Sequence, residues 1–300
     1  MPNHITTKIC IGADEETRNA IRTLMDTKEE AEANDSKEGF DFNAIIPMPK
    51  ELTEYSTGFS TIRGERVEIW KTRNIECNLA DHKEAILNAE KDEHDDYPVV
   101  INGQTEYIRG YEIKNAIEAI EEGKETITFN VSDAVSNGVL AEMIANFGTS
   151  SWYDWSITNW GTKWNSYDVY WHSDNSVVEI QTAWSTPEPV IVALSQKFPE
   201  AKFACLYADE DIGSNCGVYV LQNGEHLADI YAPKVDEDLA DVFALLFKEY
   251  DIASYGDDEE DEWEMEIARK YEEAEKSNSP IIKLAESDDV DEILTLCKML

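Results

Sequence analysis

The sequence predicts an α+β fold, mainly because of the order of its elements. A strand, a helix and a second strand are predicted near the N-terminus, and strand and helix patterns return after residue 152. Between these two parts lies a stretch with helical periodicity, and the chain ends in acidic helices. This order fits a split β-α-β sandwich, in which helices cover one face of an antiparallel sheet. The chain has enough hydrophobic residues to form a core, because they make up 42% of its 300 residues.

The N-terminal elements follow from local patterns. His4 to Ile11 alternates apolar and polar residues at the period of two that is typical of a strand. Asp14 is expected to cap a helix over residues 15–33. Phe40 to Ile46 is predicted to be a second strand that ends at Pro47, because proline cannot donate a hydrogen bond to a ladder.

The second half repeats the strand and helix patterns. Residues 152–184 have strand character and hold six of the eight tryptophans, and Val177 to Trp184 is the clearest strand. Pro187 opens a helix, since proline is well placed in a first turn. The strands expected next are Phe203 to Tyr207 and Val218 to Leu221. They are followed by Asn223-Gly224, a strong hairpin signal.

The middle of the chain shows helical spacing. Tyr111 to Glu122 and Val139 to Phe147 are predicted helices, and residues 92–96 are expected to form a solvated acidic loop. The last helix carries an apolar stripe from Val290 to Cys297, with Ser287 or Asp288 as its expected cap.

These elements divide the chain into three parts. Residues 1–50 and 151–235 are predicted to form a ferredoxin-like α+β domain, interrupted by a helical insertion at 51–150. Residues 236–300 form an acidic helical C-terminal region with 22 Asp+Glu and 6 Lys+Arg.

The charge balance excludes several classes of protein. The chain has 63 Asp+Glu and 25 Lys+Arg, a formal net charge of −38, and a pI near 4.3. Binding nucleic acid or an anionic membrane requires clustered Lys and Arg, so neither is an expected partner. No apolar run reaches the ~20 residues that span a bilayer, and no signal peptide is recognised. Five scattered cysteines without a CxxC pair favour reduced thiols, and we expect a cytoplasmic protein.

Motifs for catalysis are missing from the sequence. It has no phosphate loop, no dinucleotide-binding glycine motif and no metalloprotease or hydrolase signature. A metal site at His94 with its neighbouring acids is unfavourable, because adjacent ligands in one turn rarely converge. We therefore expect no enzyme, no cofactor and no metal. Residues 159–165, with two tryptophans and a lysine around a glycine, could stack a base or sugar, but burial in the core is favoured.

Five segments carry a family resemblance: residues 1–4, 40–49, 159–165, 182–187 and 194–199. Together they resemble the YubB-type ferredoxin-like family of phage and conjugative-plasmid proteins, over roughly residues 1–50 and 155–230. The resemblance implies an α+β ferredoxin-like domain encoded on a mobile element. It implies no reaction and no catalytic residues.

The leading functional hypothesis is a non-enzymatic DNA mimic that inhibits a host defence system. Its partner would be a host DNA-binding defence protein or nuclease complex, such as a restriction or CRISPR-type complex. Thirty-eight charges correspond to roughly 65 Å of duplex DNA, at about one charge per 1.7 Å. The alternatives are an acidic adaptor or scaffold module and, less favoured, a nucleotide- or sugar-processing enzyme. Acidity that serves only solubility or halophilic adaptation is the remaining interpretation.

The residues expected to imitate phosphates are acids in three clusters. They are Asp257, Asp258, Glu259, Glu260, Asp261, Glu262, Glu264 and Glu266, then Asp236, Glu237, Asp238 and Asp241, then Asp92, Glu93, Asp95 and Asp96. Ile293 and Leu294 are candidate apolar anchors for a partner or for a homodimer, although packing against the rest of the C-terminal region is favoured.

Overall fold

The computed structural model describes residues 3–28, 37–235, 237–247 and 262–300. The chain forms two compact units. The first unit combines Met1–Pro47 with Ser156–Leu300, and the second is Met48–Trp155. The described part of the acidic C-terminal region therefore belongs to the first unit.

The strands and helices are numbered along the chain. The strands are β1 His4–Gly12, β2 Tyr55–Ile62, β3 Glu65–Asn78, β4 Asp96–Ile101, β5 Gln104–Arg109, β6 Thr126–Ala134, β7 Tyr167–Trp171, β8 Val177–Ala183, β9 Lys202–Asp209, β10 Cys216–Gln222 and β11 Glu225–Tyr231. The helices are α1 Glu15–Met25, α2 Lys50–Glu54, α3 Leu79–Leu87, α4 Gly110–Glu121, α5 Asn137–Phe147, α6 Trp152–Asn159, α7 Glu188–Lys197, α8 Ala232–Val235, α9 Glu237–Phe247, α10 Glu262–Ser277, α11 Pro280–Glu286 and α12 Val290–Cys297.

The first unit is built on a six-stranded antiparallel sheet in the order β11-β10-β9-β1-β8-β7. Ile9 of β1 lies opposite Val178 of β8 and Cys205 of β9. Successive side chains of a strand point to opposite faces, so Ile9 and Cys10 face opposite sides of this sheet. Both are fully buried, and the sheet is therefore covered on both faces.

Each face of the sheet has its own helices. Thr186, just before α7, contacts Thr7 and Tyr219 on the face of Ile9. On the face of Cys10, buried residues of the sheet share one core with α9, α11 and α12, including Phe243 and Ile293. The expectation of helices on one face only is wrong, because the apolar stripes of the C-terminal helices cover the second face.

The predicted N-terminal elements are partly confirmed. β1 and the Asp14 cap are present, and the Asp14 side chain accepts a hydrogen bond from Thr17 N. α1 ends at Met25, and positions 29–33 of the predicted helix lie outside the described residues. The predicted strand Phe40 to Ile46 is wrong. Its centre is a 3₁₀ turn at Phe42–Ala44, because the Asp41 side chain accepts a hydrogen bond from Asn43 N and directs the chain into a turn.

The second half follows the prediction more closely. The strands β8, β9 and β10 and the helix α7 are confirmed, whereas residues 152–159 form the helix α6 instead of a strand. Asn223 and Gly224 join β10 to β11 with φ values of +50° and +78°, as a two-residue hairpin requires.

The cap of the last helix is Asp289, not the predicted Ser287 or Asp288. The Asp289 side chain accepts hydrogen bonds from the backbone N–H groups of Asp291 and Glu292 and so caps α12. Ser287 instead donates its hydroxyl to Glu292 and accepts from Asp289 N, one turn outside the helix. Among the described residues, no helix is long and apolar enough to cross a bilayer.

The second unit is not purely helical. It contains the three-stranded sheet β2-β3-β6 and the hairpin β4-β5, both antiparallel. The predicted helices are confirmed as α4 and α5, and Gly148 ends α5 at φ +76°. The strands were hidden in the sequence because Lys71 and Arg73 share one face of β3 with the apolar Ile69 and Cys77, which disguises the strand alternation.

Candidate functional site

The acids predicted to imitate phosphates are partly outside the described residues. Asp236 and the run Asp257 to Asp261 fall there. Glu262 and Glu264 lie on α10 and Glu237 lies on α9. Glu266, also on α10, is exposed to solvent.

Asp238 and Asp241 are engaged inside the first unit. Both carboxylates bind Lys270 of α10, at 2.7 Å and 3.0 Å from its Nζ atom. Only 18% of the Lys270 side chain is exposed. The hydrogen bond that it donates to Asp238, and then the one that it donates to Asp241, raise its pKa against the cost of desolvation. These two acids therefore join α9 to α10, and their charges are already balanced in part.

The acidic loop 92–96 is organised by its own side chains. Asp92 accepts hydrogen bonds from the backbone N–H groups of His94 and Asp96. Asp95 adopts φ +69° and pairs with Lys91 at 2.6 Å, whereas Glu93 is 86% exposed. Burial, with Asp92 as a second cause, raises the pKa of Asp96. Within the described ranges, no three His, Cys, Asp or Glu side chains converge to hold a metal ion.

The two candidate apolar anchors face the protein itself. Ile293 is fully buried in the core of the first unit, and Leu294 packs partly buried against the same core. Both side chains therefore pack within the protein, together with the C-terminal region, as the favoured interpretation of the sequence expected.

Four of the segments that carry the family resemblance meet in the first unit. The Trp160 indole N–H donates to the carbonyl of Ile46 at 2.9 Å. The Asn165 side chain donates to Asp41 at 2.8 Å and accepts from Phe42 N at 2.9 Å. Segment 159–165 therefore holds the turn at 40–46 in place, which is a structural role.

Lys163 connects this segment to segment 182–187. Its ammonium lies 4.7 Å from the ring centroid of Trp164 and 4.8 Å from that of Trp184. Trp184 has φ +72°, a strained value for a bulky residue, and its N–H donates to the carbonyl of Asn3. Because both indoles already hold an ammonium, a base or sugar would have to displace Lys163 before stacking on these faces.

An open cleft of about 840 Å³ lies on the Cys10 face of the first sheet, and sequence reasoning missed it. Its described lining includes His4, Lys8, Glu179, Glu210 and Glu286. Three carboxylates against one lysine make the cleft acidic. The residues come from β1, β8, the position directly after β9, and α11, and no local sequence pattern brings them together.

Lys8 is the structural link at the edge of this cleft. Its ammonium donates to the carbonyls of Ala285 and Ser287, at 3.3 Å and 3.1 Å, and pairs with Asp288 at 2.7 Å. Only 12% of the Lys8 side chain is exposed. It therefore fastens the α11–α12 connection to β1, and is not available to a ligand.

The comparisons with known proteins concern part of the chain. Residues 159–278 match the family model described as "Ferredoxin-like domain in Api92-like protein". The predicted ferredoxin-like α+β domain is thereby confirmed. The match starts after the second unit and ends in the loop between α10 and α11.

One solved structure is similar to the chain. It is the protein Api92 from Yersinia pseudotuberculosis, with 11% sequence identity and a TM-score of 0.29. The alignment covers 77% of this chain and 98% of Api92. No curated protein sequence matches the chain at a significant level.

Proposed function

We propose that this protein is a non-enzymatic inhibitor that imitates DNA and occupies the DNA-binding surface of a host nuclease or defence complex. The proposal includes the closer affiliation to the YubB-type family and, with it, an origin on a phage or plasmid and a place in the host cytoplasm. The observation that carries it is the surplus of carboxylates that no basic residue can neutralise.

The surplus follows from simple counting and from the ion pairs. If each of the 25 basic residues neutralised one acid, 38 of the 63 acids would still be unmatched. Several basic side chains already form ion pairs within the protein, as in Arg22–Glu38, Lys202–Asp291 and Lys270 with two aspartates. The remaining charge attracts a partner rich in Lys and Arg and accelerates its association by electrostatic steering.

The amount of charge suits a DNA-binding channel. If about half of the net charge faced one side, it would match roughly 30 Å of duplex at one charge per ~1.7 Å. That length is about ten base pairs, which is one helical turn. A surface of this size can occupy a channel that grips one turn of duplex.

The predicted acids differ in how available their carboxylates are to a partner. The carboxylates of Asp238, Asp241 and Asp92 are involved in internal contacts, so we expect them to contribute less to binding than their charge suggests. Exposed Glu266 is available to a partner. The main candidate remains the run Asp257 to Glu262, whose sequence of six consecutive acids resembles no structural pattern.

Charge reversal with a matched control tests the proposal. One variant replaces Asp257 to Glu262 by lysines. The control reverses six exposed acids of the second unit and changes the net charge by the same amount: Glu65, Glu68, Glu76, Glu84, Glu90 and Glu121. Both are used as bait in host lysate, with and without an excess of 20-base-pair duplex DNA, and captured proteins are identified by mass spectrometry.

The expected result is a DNA-binding protein that wild type and control capture, that added duplex or high salt displaces, and that the first variant loses. Equal loss of capture in both variants would mean that the run acts only through its contribution to the net charge, and not as a specific binding site. A partner that ignores both duplex and salt would contradict DNA mimicry and favour the adaptor function.

A further inference from the structure

We propose that a small polar pocket in the second unit, bordered by Arg63 and Arg109, binds a phosphate-sized oxyanion. The pocket lies between the end of the β2-β3 hairpin and the hairpin β4-β5, and all of it belongs to the continuously described residues 48–155. It is independent of the acidic surface proposed above.

The two arginines differ from several basic residues of this unit, which form ion pairs. Lys71, Arg73 and Lys91 each form an ion pair. Arg63 and Arg109 form none within 4.0 Å among the described residues. Burial raises the pKa of Asp96, which lines the same pocket, although both guanidinium groups lie close enough to this carboxyl to lower it.

The backbone and an aromatic ring position Arg63. It occupies the first position of the two-residue turn that joins β2 to β3, with φ +50°, and Gly64 follows with φ +78°. Its guanidinium lies 3.8 Å above the ring centroid of Tyr107. This stacking leaves the edge of the guanidinium, where its N–H groups point, open to an acceptor.

Arg109 approaches from the other side of the pocket. It is the last residue of β5 and the residue that precedes the 12-residue helix α4, and its side chain makes no capping hydrogen bond. The Arg109 side chain therefore does not cap α4, and it lines the pocket.

The remaining lining and the volume fit a small oxyanion. Thr61, Asn130 and Ser132 line the pocket, and their side chains offer hydrogen-bond donors. The cavity has about 50 Å³, room for about three to four water molecules at roughly 15 Å³ each. Five heavy atoms of a tetrahedral oxyanion fill such a space, whereas a nucleoside does not.

Two carboxylates near the pocket repel an anion. The proposal therefore predicts the direction in which anion affinity changes when one of these charges is removed. Asp96 lines the pocket and lies opposite Arg109 across the β4-β5 ladder. Glu112 is buried behind Asn130, whose backbone N–H it accepts at 2.8 Å, and its second oxygen has no hydrogen-bond partner. Removing the charge of Asp96 should therefore tighten anion binding.

The experiment is an NMR titration of the full chain with inorganic phosphate at constant ionic strength, following the arginine Nε–H signals. We expect saturable shifts of Arg63 and Arg109 with a millimolar Kd. R63Q and R109Q should each weaken binding at least tenfold, and D96N should tighten it severalfold. R66Q is the matched control, because the Arg66 guanidinium lies over Phe59 outside the pocket, and it should leave the affinity unchanged.

Two further arms, sulfate and adenosine monophosphate, distinguish a free oxyanion from the phosphate end of a nucleotide. Binding of adenosine monophosphate as tight as that of phosphate assigns the pocket to a phosphoryl end that projects from a larger molecule. If phosphate binds but adenosine monophosphate does not, the pocket is assigned to a free oxyanion. Absence of arginine shifts up to 50 mM phosphate, or a loss in R66Q equal to that in R63Q, would overturn the proposal. The spectra themselves show whether each variant is folded.

Discussion

The two units of the molecule bury their sheets in different ways. In the first unit, β9 and β10 are buried almost throughout, because helices cover both faces of the sheet. In the second unit, buried and exposed positions alternate along β6, as in a sheet with one solvated face. The comparison teaches that the acidic C-terminal helices cover one face of the first sheet, while the smaller second unit keeps exposed faces for charged side chains.

Buried cysteines allow each unit to be followed separately. Cys297 belongs to the core of the first unit and Cys77 to that of the second. Burial raises the pKa of the Cys297 thiol to about 11 and also raises the pKa of Cys77. Both thiols are therefore protonated and covered in the native protein, and their alkylation reports the opening of the surrounding unit.

The largest effect is expected from Ile293→Ala. This change removes a fully buried side chain between α12 and the sheet, and it should lower the free energy of unfolding by about 4 kcal/mol. Urea denaturation measures the loss, and alkylation of Cys297 should accelerate while that of Cys77 does not. Leu294→Ala, at a partly buried position, is the control with a smaller loss. A loss for Ile293→Ala no larger than that for Leu294→Ala would contradict the burial of Ile293 in the core of the first unit.

Arg73→Gln should cause the next largest loss of stability, and this loss should occur in the second unit. The Arg73 guanidinium binds both oxygens of Glu106, at 3.1 Å and 2.5 Å, and Asp133 at 2.6 Å. Only 5% of the Glu106 side chain is exposed, so the change leaves a buried carboxylate without its cation. We expect a loss of about 3 kcal/mol and faster alkylation of Cys77.

The paired variant Arg73→Gln with Glu106→Gln is the control. It removes the buried charge and should recover more than half of the loss. No recovery would mean that packing of the arginine stem, and not the unpaired charge, causes the effect.

Lys8→Met tests how firmly the C-terminal helices are fastened to β1. Methionine keeps the apolar stem but cannot donate to the carbonyls of Ala285 and Ser287 or pair with Asp288. We expect a loss of about 1–2 kcal/mol in urea denaturation and earlier alkylation of Cys297. Unchanged protection of Cys297 would show that packing alone holds these helices.

The smallest effect is expected from Glu266→Gln, since this exposed side chain is ion-paired to no described residue. The free energy of unfolding should change by less than about 0.5 kcal/mol. Binding of a basic partner, however, should weaken and lose part of its salt dependence. A clear loss of stability would give Glu266 a structural role and remove it from the proposed surface.

The sequence predicts those elements whose signals are local. Asn223-Gly224, the cap at Asp14 and the apolar period of α4 are readable without tertiary context. The strand β3 is not, because Lys71 and Arg73 occupy its inward positions and are satisfied by carboxylates that are distant in sequence.

The same contrast holds for the candidate sites. Net charge is visible in the composition, so an acidic surface can be predicted. Its internal use is not visible, because Asp241 reaches Lys270 only after α9 and α10 pack together. The arginine pocket depends on the stacking of Arg63 on Tyr107, residues that are 44 positions apart in the sequence.

The central position of β1 has a consequence for synthesis of the protein on the ribosome. Its partners β8 and β9 follow about 170–200 residues later in the chain. At about 5–20 residues per second, β1 must wait roughly 10–35 s for its first neighbour, with an apolar strand exposed. The segment that becomes the second unit is complete during this interval. Nascent chains stalled after residue 155 should therefore protect Cys77 from alkylation but leave Cys10 reactive.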